Sequence, residues 1–205
     1  MGAGRVVGLG AAAALAGAAL WWRKNPSACP YSQRFWVEAP HPFITRERLR
    51  SILEPVPGER MLEVGPGTGY YTLPAAGWLE PGGRLDVLDV QQEMLDHTLG
   101  RAREVGIENI SPSRADAREM PYADDTFDAA YLITVLGEIP DQDAALRELR
   151  RVVRPGGRIV VGELFGDPHM VTARSLRSRA AAAGLSVERV LGGGRLWHFT
   201  RLRSS

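Results

Sequence analysis

From Met61 to Leu202 the chain alternates short apolar runs with longer stretches in which apolar and charged residues mix. Short runs bounded by Gly, Pro or Asp read as strands, and the mixed stretches of helical length read as helices. Strands are predicted at 61–64, 84–90, 110–115, 128–133 and 158–164, and helices at 70–79, 91–104, 141–153 and 171–183. Two further strands, 186–191 and 196–202, close the chain across Gly192-Gly193-Gly194. A helix between successive strands implies a crossover, and crossovers make parallel neighbours. The pattern therefore predicts an α/β fold, a doubly wound, mostly parallel seven-stranded sheet with helices on both faces. The Gly-linked final pair is close enough for a hairpin, which makes the last strand antiparallel.

Ahead of this pattern the chain reads differently. Residues 25–42, rich in Pro, Ser and aromatics, suit a lid or linker rather than regular structure. A short helix, 45–53, is stopped by Glu54-Pro55-Val56-Pro57-Gly58. Val6 to Trp22 carries no charge and is followed at once by Arg23-Lys24. As a helix it would be about 26 Å long, the short limit for a hydrocarbon core of about 30 Å. Trp21-Trp22 beside two cations resembles an interfacial anchor with its positive flank on the cytoplasmic side. The competing readings are a helix packed on the domain, a loose extension, or a signal peptide; the last lacks a small-x-small cleavage site. Three units are expected: 1–24, an apolar segment and candidate anchor; 25–54, a lid and first helix; and 55–205, the main domain. A cytoplasmic location follows, at the inner face of the membrane if the segment is an anchor.

Charge sharpens the division. Residues 1–53 hold seven basic and two acidic side chains, 54–146 six and eighteen, and 147–205 twelve and four. A basic final third attracts an anionic partner or is a solvated Arg-rich surface, since Lys24 is the only lysine. Cys29 is the only cysteine, which rules out an internal disulfide. Four scattered histidines offer no metal cluster.

The candidate chemistry lies at strand ends. Glu63-Val64-Gly65-Pro66-Gly67-Thr68-Gly69 joins the first strand to the next helix. Glycines there let a ligand approach the main chain, and the helix presents free N–H groups to the same spot. The spacing is G-x-G-x-G rather than the dinucleotide G-x-G-x-x-G. Glu63, just before the turn, repels a pyrophosphate and favours a cationic ligand. Asp89 ends the second strand, where an acid takes ribose hydroxyls. Asp116 follows the third, where a carboxylate either accepts from an exocyclic amine or caps a turn.

Four stretches, LEVGPGTGYYT (62–72), LDVLDVQQEML (85–95), ADAREMPYADDTFDAAYL (115–132) and ELRRVVRPGGRIVV (148–161), make residues 44–202 resemble the class I methyltransferase family. Known members of the subfamily with this Met-Pro-Tyr…Thr-Phe-Asp pattern methylate small molecules, quinone precursors and lipids. The resemblance implies a Rossmann-like fold and S-adenosylmethionine as cofactor. It places Gly65, Gly67 and Gly69, with Thr68 between them, along the methionine and ribose. It assigns Asp89 to the ribose hydroxyls, Val90 and Met94 to adenine packing, Asp116 and Ala117 to the adenine edge, and Thr134 to the methionine end. Pro66 stands where Cys or Ser is frequent.

Methyl transfer from a sulfonium needs alignment and exclusion of water, and a base only when the acceptor arrives protonated. The candidates for a base are Glu138, after the fourth strand, and His169, after the fifth; Tyr31 and Trp36 are candidate substrate contacts. The reading is an S-adenosylmethionine-dependent methyltransferase of a small-molecule or lipid acceptor, with a membrane contacted through residues 6–22 and no nucleic acid expected. The alternatives are a non-catalytic cofactor-binding scaffold and an RNA or protein methyltransferase. A nicotinamide oxidoreductase is disfavoured by the loop spacing and by Pro155-Gly156-Gly157, which reads as a structural turn.

Overall fold

The computed structural model describes residues 25–38, 41–193 and 195–204, the side chains of Trp36 and Val37 excepted. The apolar segment 6–22, and with it the whole 1–24 unit, lies outside the described residues. Among those described, no helix is long and apolar enough to cross a membrane.

Seven strands form one sheet: β1 (Arg60–Val64), β2 (Arg84–Asp89), β3 (Ile110–Arg114), β4 (Phe127–Ile133), β5 (Val153–Leu164), β6 (Leu185–Leu191) and β7 (Trp197–Ser204). Their spatial order is β3-β2-β1-β4-β5-β7-β6. β1 pairs in parallel with β2 and β4, β2 with β3, and β4 with β5. β7 runs antiparallel to both β5 and β6, so the last strand is inserted between them as the expected hairpin requires. The helices are α1 (Phe35–Glu38), α2 (Arg46–Leu53), α3 (Thr72–Trp78), α4 (Gln92–Glu104), α5 (Gln142–Val152) and α6 (Ala173–Ala182).

Alternation along each strand feeds two cores, because successive side chains leave opposite faces. Leu62 and Val64 of β1 join Leu146 and Leu149 of α5 and Leu176 of α6 in one cluster. Met61 joins Leu49 and Ile52 of α2, Ala75 and Ala76 of α3 and Leu95 of α4 in the other. Three helices start on side-chain caps that satisfy an otherwise unpaired N–H: Thr45 accepts from Arg48, Asp141 from Ala144 and Thr172 from Ser175.

Three local expectations need correction. Residues 25–42 are not wholly irregular: Tyr31–Gln33 forms a 3-10 turn and α1 follows. α3 begins at Thr72 rather than residue 70, because the turn that starts in the glycine loop runs on through Tyr70 and Tyr71. β5 begins at Val153, directly after α5, and residues 154–157 bulge out between the pairs Phe127↔Val153 and Ala129↔Arg158. Pro155-Gly156-Gly157 is therefore an irregularity within a strand; Gly156 has φ 75°.

Candidate functional site

In the order β2-β1-β4, the connections after β1 and β4 leave toward opposite faces. Such a switch point opens a crevice at the carboxyl ends of the strands. A cavity of about 360 Å³ lies there. Of the residues singled out in the sequence, Gly65, Gly67, Asp89, Val90, Met94, Asp116, Ala117, Thr134 and Glu138 line it. Pro26, Ser27, Ala28 and Cys29 supply a further wall.

The glycine loop is shaped by what it touches. Gly65 and Gly67 have φ 70° and 56°, conformations that L side chains rarely adopt. A Cβ on Gly65 would lie 2.5 Å from a Val135 methyl, so the β4 loop packs directly on the bare main chain. From the other side α4 holds the loop. The Thr98 hydroxyl donates to the Gly67 carbonyl (2.9 Å), and Arg101 donates to that of Thr68 (2.6 Å). Nothing in the linear sequence marks Thr98 or Arg101 for this task, because both bonds join residues more than 30 positions apart.

Asp89 is buried at the mouth of the cavity, and its Oδ1 accepts the Gln91 N–H (2.9 Å). Burial pushes its carboxyl up to about 6, against backbone hydrogen bonds that pull it down. Beside it Val90 is 45% exposed, an unusual state for a residue lining a cavity, and Met94 backs the same wall. Asp116 is less available than its position implies. Arg118 grips both its oxygens at 2.7–3.1 Å, and that guanidinium holds the carboxyl below its ordinary range. Thr134 lines the cavity at φ 56°, an outlier for a β-branched residue, with its N–H fixed to the Gly162 carbonyl (2.7 Å).

Several candidates lie elsewhere. Glu63 alternates onto the opposite face from Val64 and is buried beside Thr72 and Tyr131, away from the cavity wall. Burial pushes it up to about 7. Thr68 and Gly69 face the interior, where a Cβ on Gly69 would meet Leu73 and Thr98. His169 is buried in the loop after β5 with its carbonyl packed against Gly137 and does not line the cavity. Tyr31 turns away as well, its hydroxyl meeting His97 Nδ1 on α4 (3.3 Å). The Trp36 side chain lies outside the described residues.

Glu138 also lines the cavity, from the loop after β4. Its Oε2 accepts the Cys29 N–H (3.2 Å), and burial, with Asp167 and Asp89 nearby, pushes it up to about 8. In the folded chain the carboxyl keeps a proton between its ordinary value and about pH 8 that the unfolded chain releases. Its contribution to stability is thus complete at acid pH and lost as pH rises through 8. Glu138→Gln should leave the melting temperature unchanged at pH 5 and raise it at pH 8.5 by about 2–4 °C. That is the equivalent of about 1 kcal/mol for a chain this size, discounted for partial exposure. Calorimetry giving the same difference at both pH values would refute the burial assigned to this carboxyl.

Residues 41–175 match the model of the ubiE/COQ5 methyltransferase family. The chain belongs to that family. Curated relatives include methyltransferase GfsG of Streptomyces halstedii, 37% identical over 121 residues, which are 58% of this chain and 42% of the relative. Demethylmenaquinone methyltransferase of Bacillus cytotoxicus is 30% identical over 131 residues, 64% of this chain and 55% of that protein. The chain thus spans about half the length of the curated relatives it matches. Among solved structures, a SAM-dependent methyltransferase from Aquifex aeolicus superposes with a TM-score of 0.80 at 19% identity, over 87% of this chain and all of that one. The [4+2]-cyclase SpnF does so with 0.65 at 27% identity, over 71% and 57%. The mostly parallel seven-stranded sheet expected for this chain is thus the fold it shares with solved methyltransferase structures.

Proposed function

We propose that the chain is an S-adenosylmethionine-dependent methyltransferase whose acceptor is a small, apolar or membrane-associated molecule. The observation that carries this reading is the convergence of nine candidate residues from four separate loops on one cavity. Each part of the cofactor has a counterpart. Asp89 Oδ1 is used by Gln91, and its remaining lone pairs suit a ribose diol. The exposed face of Val90, backed by Met94, suits an adenine ring, and the absence of a Cβ at Gly65 and Gly67 suits close passage of the methionine chain. Asp116 would share its oxygens between Arg118 and the adenine amine.

The cofactor, when bound, supplies an activated methyl group for in-line displacement. The protein aligns donor and acceptor and keeps water out. Glu138, half-buried on the cavity wall, is the side chain placed to take a proton from an acceptor that must lose one, a role for its ionised form that grows as pH rises toward about 8. Val135, Ile139, Pro140, Pro26 and Ala28 make that wall largely apolar. The relative named demethylmenaquinone methyltransferase supports an acceptor of quinone type. The uncharged run 6–22 ahead of Arg23-Lys24 supports delivery from a membrane.

Calorimetric titration with S-adenosylmethionine and separately with NADH tests the reading. Micromolar binding of the first alone, followed by turnover with a quinol or lipid extract and none with RNA, is the expected result. Binding without turnover on any small acceptor would move the chain to the scaffold reading, and binding of neither ligand would overturn both.

A further inference from the structure

The segment before α1 is tied across the cavity at a single residue. Cys29 donates its N–H to Glu138 Oε2 (3.2 Å) in the loop after β4, and its carbonyl accepts Gln91 Nε2 (2.9 Å) in the loop after β2. β1 lies between those two strands in the sheet. Cys29 therefore spans the carboxyl end of β1, over the start of the glycine loop. Gln91 Oε1 meanwhile accepts the Tyr31 N–H (3.2 Å), so one carboxamide satisfies both strap groups as a neighbouring strand would. Only this orientation of the amide sets donor against acceptor at both contacts.

Residues 26–29 form a wall of the cavity while they are held in this way. The strap is stiff enough to move as a unit. Pro26 and Pro30 fix two of its φ angles, and Pro30 is extended at φ −61° and ψ 142°. Two further ties, Tyr31 to His97 and His97 to Glu38 at 3.5 Å, join residues that do not line the cavity. Gln91 and Glu138 are the side chains that tie Cys29 over the cavity. Neutral hydrogen bonds in a half-buried setting are individually modest, so the strap is closed at rest and still able to open.

We propose that Gln91 is a positioning residue that latches residues 26–31 over the cofactor cavity, so that cofactor entry and product exit wait on release of this latch. Through Cys29 the same latch orients the Glu138 carboxyl, coupling the ribose end of the cavity to the acceptor end. The exchange role rests on the methyltransferase reading; the latch itself does not.

The test compares wild type, Gln91→Ala and Tyr31→Pro in the full chain. Tyr31→Pro keeps Gln91 but removes the N–H it accepts, at the first position of a 3-10 turn that tolerates proline. Stopped-flow release of S-adenosylhomocysteine is expected to speed about tenfold in both variants, and hydrogen exchange at the Cys29 amide of the ligand-free chain by a similar factor. In steady state kcat is expected to hold, or to rise where product exit limits turnover, and not to fall; a merely misfolded fraction would lower kcat and leave KM alone. Wild-type release and exchange rates in both variants would overturn the latch while leaving the cofactor reading intact. A wild type that binds neither cofactor nor product would overturn the reading of the site, and the exchange role with it.

Discussion

Gly137→Ala is expected to lower stability by about 3 kcal/mol, the upper range for overpacking, and the melting temperature by about 6–12 °C. The cause is the backbone: a Cβ on Gly137 would occupy the space of the His169 carbonyl. A main-chain group cannot rotate aside as a side chain does, so one of two loops must move. These are the loop after β4, which carries Glu138, and the loop after β5, where Val171 N–H donates to buried Glu163 (3.2 Å). The effect should extend to function through displacement of Glu138 from the cavity wall. A calorimetric melting point within about 2 °C of wild type would show that the loops separate at little cost and that their contact does not define the acceptor end.

Asp89→Ala should weaken binding of S-adenosylmethionine by about 1–3 kcal/mol, roughly 5- to 150-fold in Kd, the scale of lost hydrogen bonds to a charged group. The carboxylate is buried beside an exposed apolar surface and spends one oxygen on Gln91. What it retains faces the cavity. Because alanine also releases the Gln91 N–H, Asp89→Asn is the necessary companion: its amide oxygen still accepts from Gln91, and its amide nitrogen still meets a hydroxyl. Calorimetry should place the asparagine variant between wild type and alanine. Equal affinity in all three would remove Asp89 from the ribose contact.

The central strands β1, β2 and β4 were legible because each is a short, largely apolar run, while β3 (Ile110–Arg114, Ile-Ser-Pro-Ser-Arg) was placed by its spacing between helices. What failed was local. β5 reaches back to Val153 because a bulge absorbs Pro155-Gly156-Gly157, and nothing in that tripeptide distinguishes a bulge from a turn. The cavity lining was legible where an acid sits at a strand end, as with Asp89, and not where alternation decides the face. Glu63 stands one residue from Val64, and that single step turns its side chain away from the cavity. Residues 25–42 read as a lid or linker, but Gln91 and the bonds that tie them escaped notice because those bonds connect positions 60 to 109 residues apart, beyond any local pattern.

Thr134 carries a different lesson. A threonine held at φ 56° at the cavity wall sits in a conformation that costs of order 1–3 kcal/mol, against a typical total stability of only about 5–15. Directed evolution toward heat tolerance would find this position early, since glycine relaxes the backbone at no steric cost. The same change would loosen the peptide that pins the β4 loop to Gly162. Selection for robustness alone would therefore tend to erode this wall of the cavity before it improved the scaffold, and a screen for hardier variants has to score ligand affinity alongside survival.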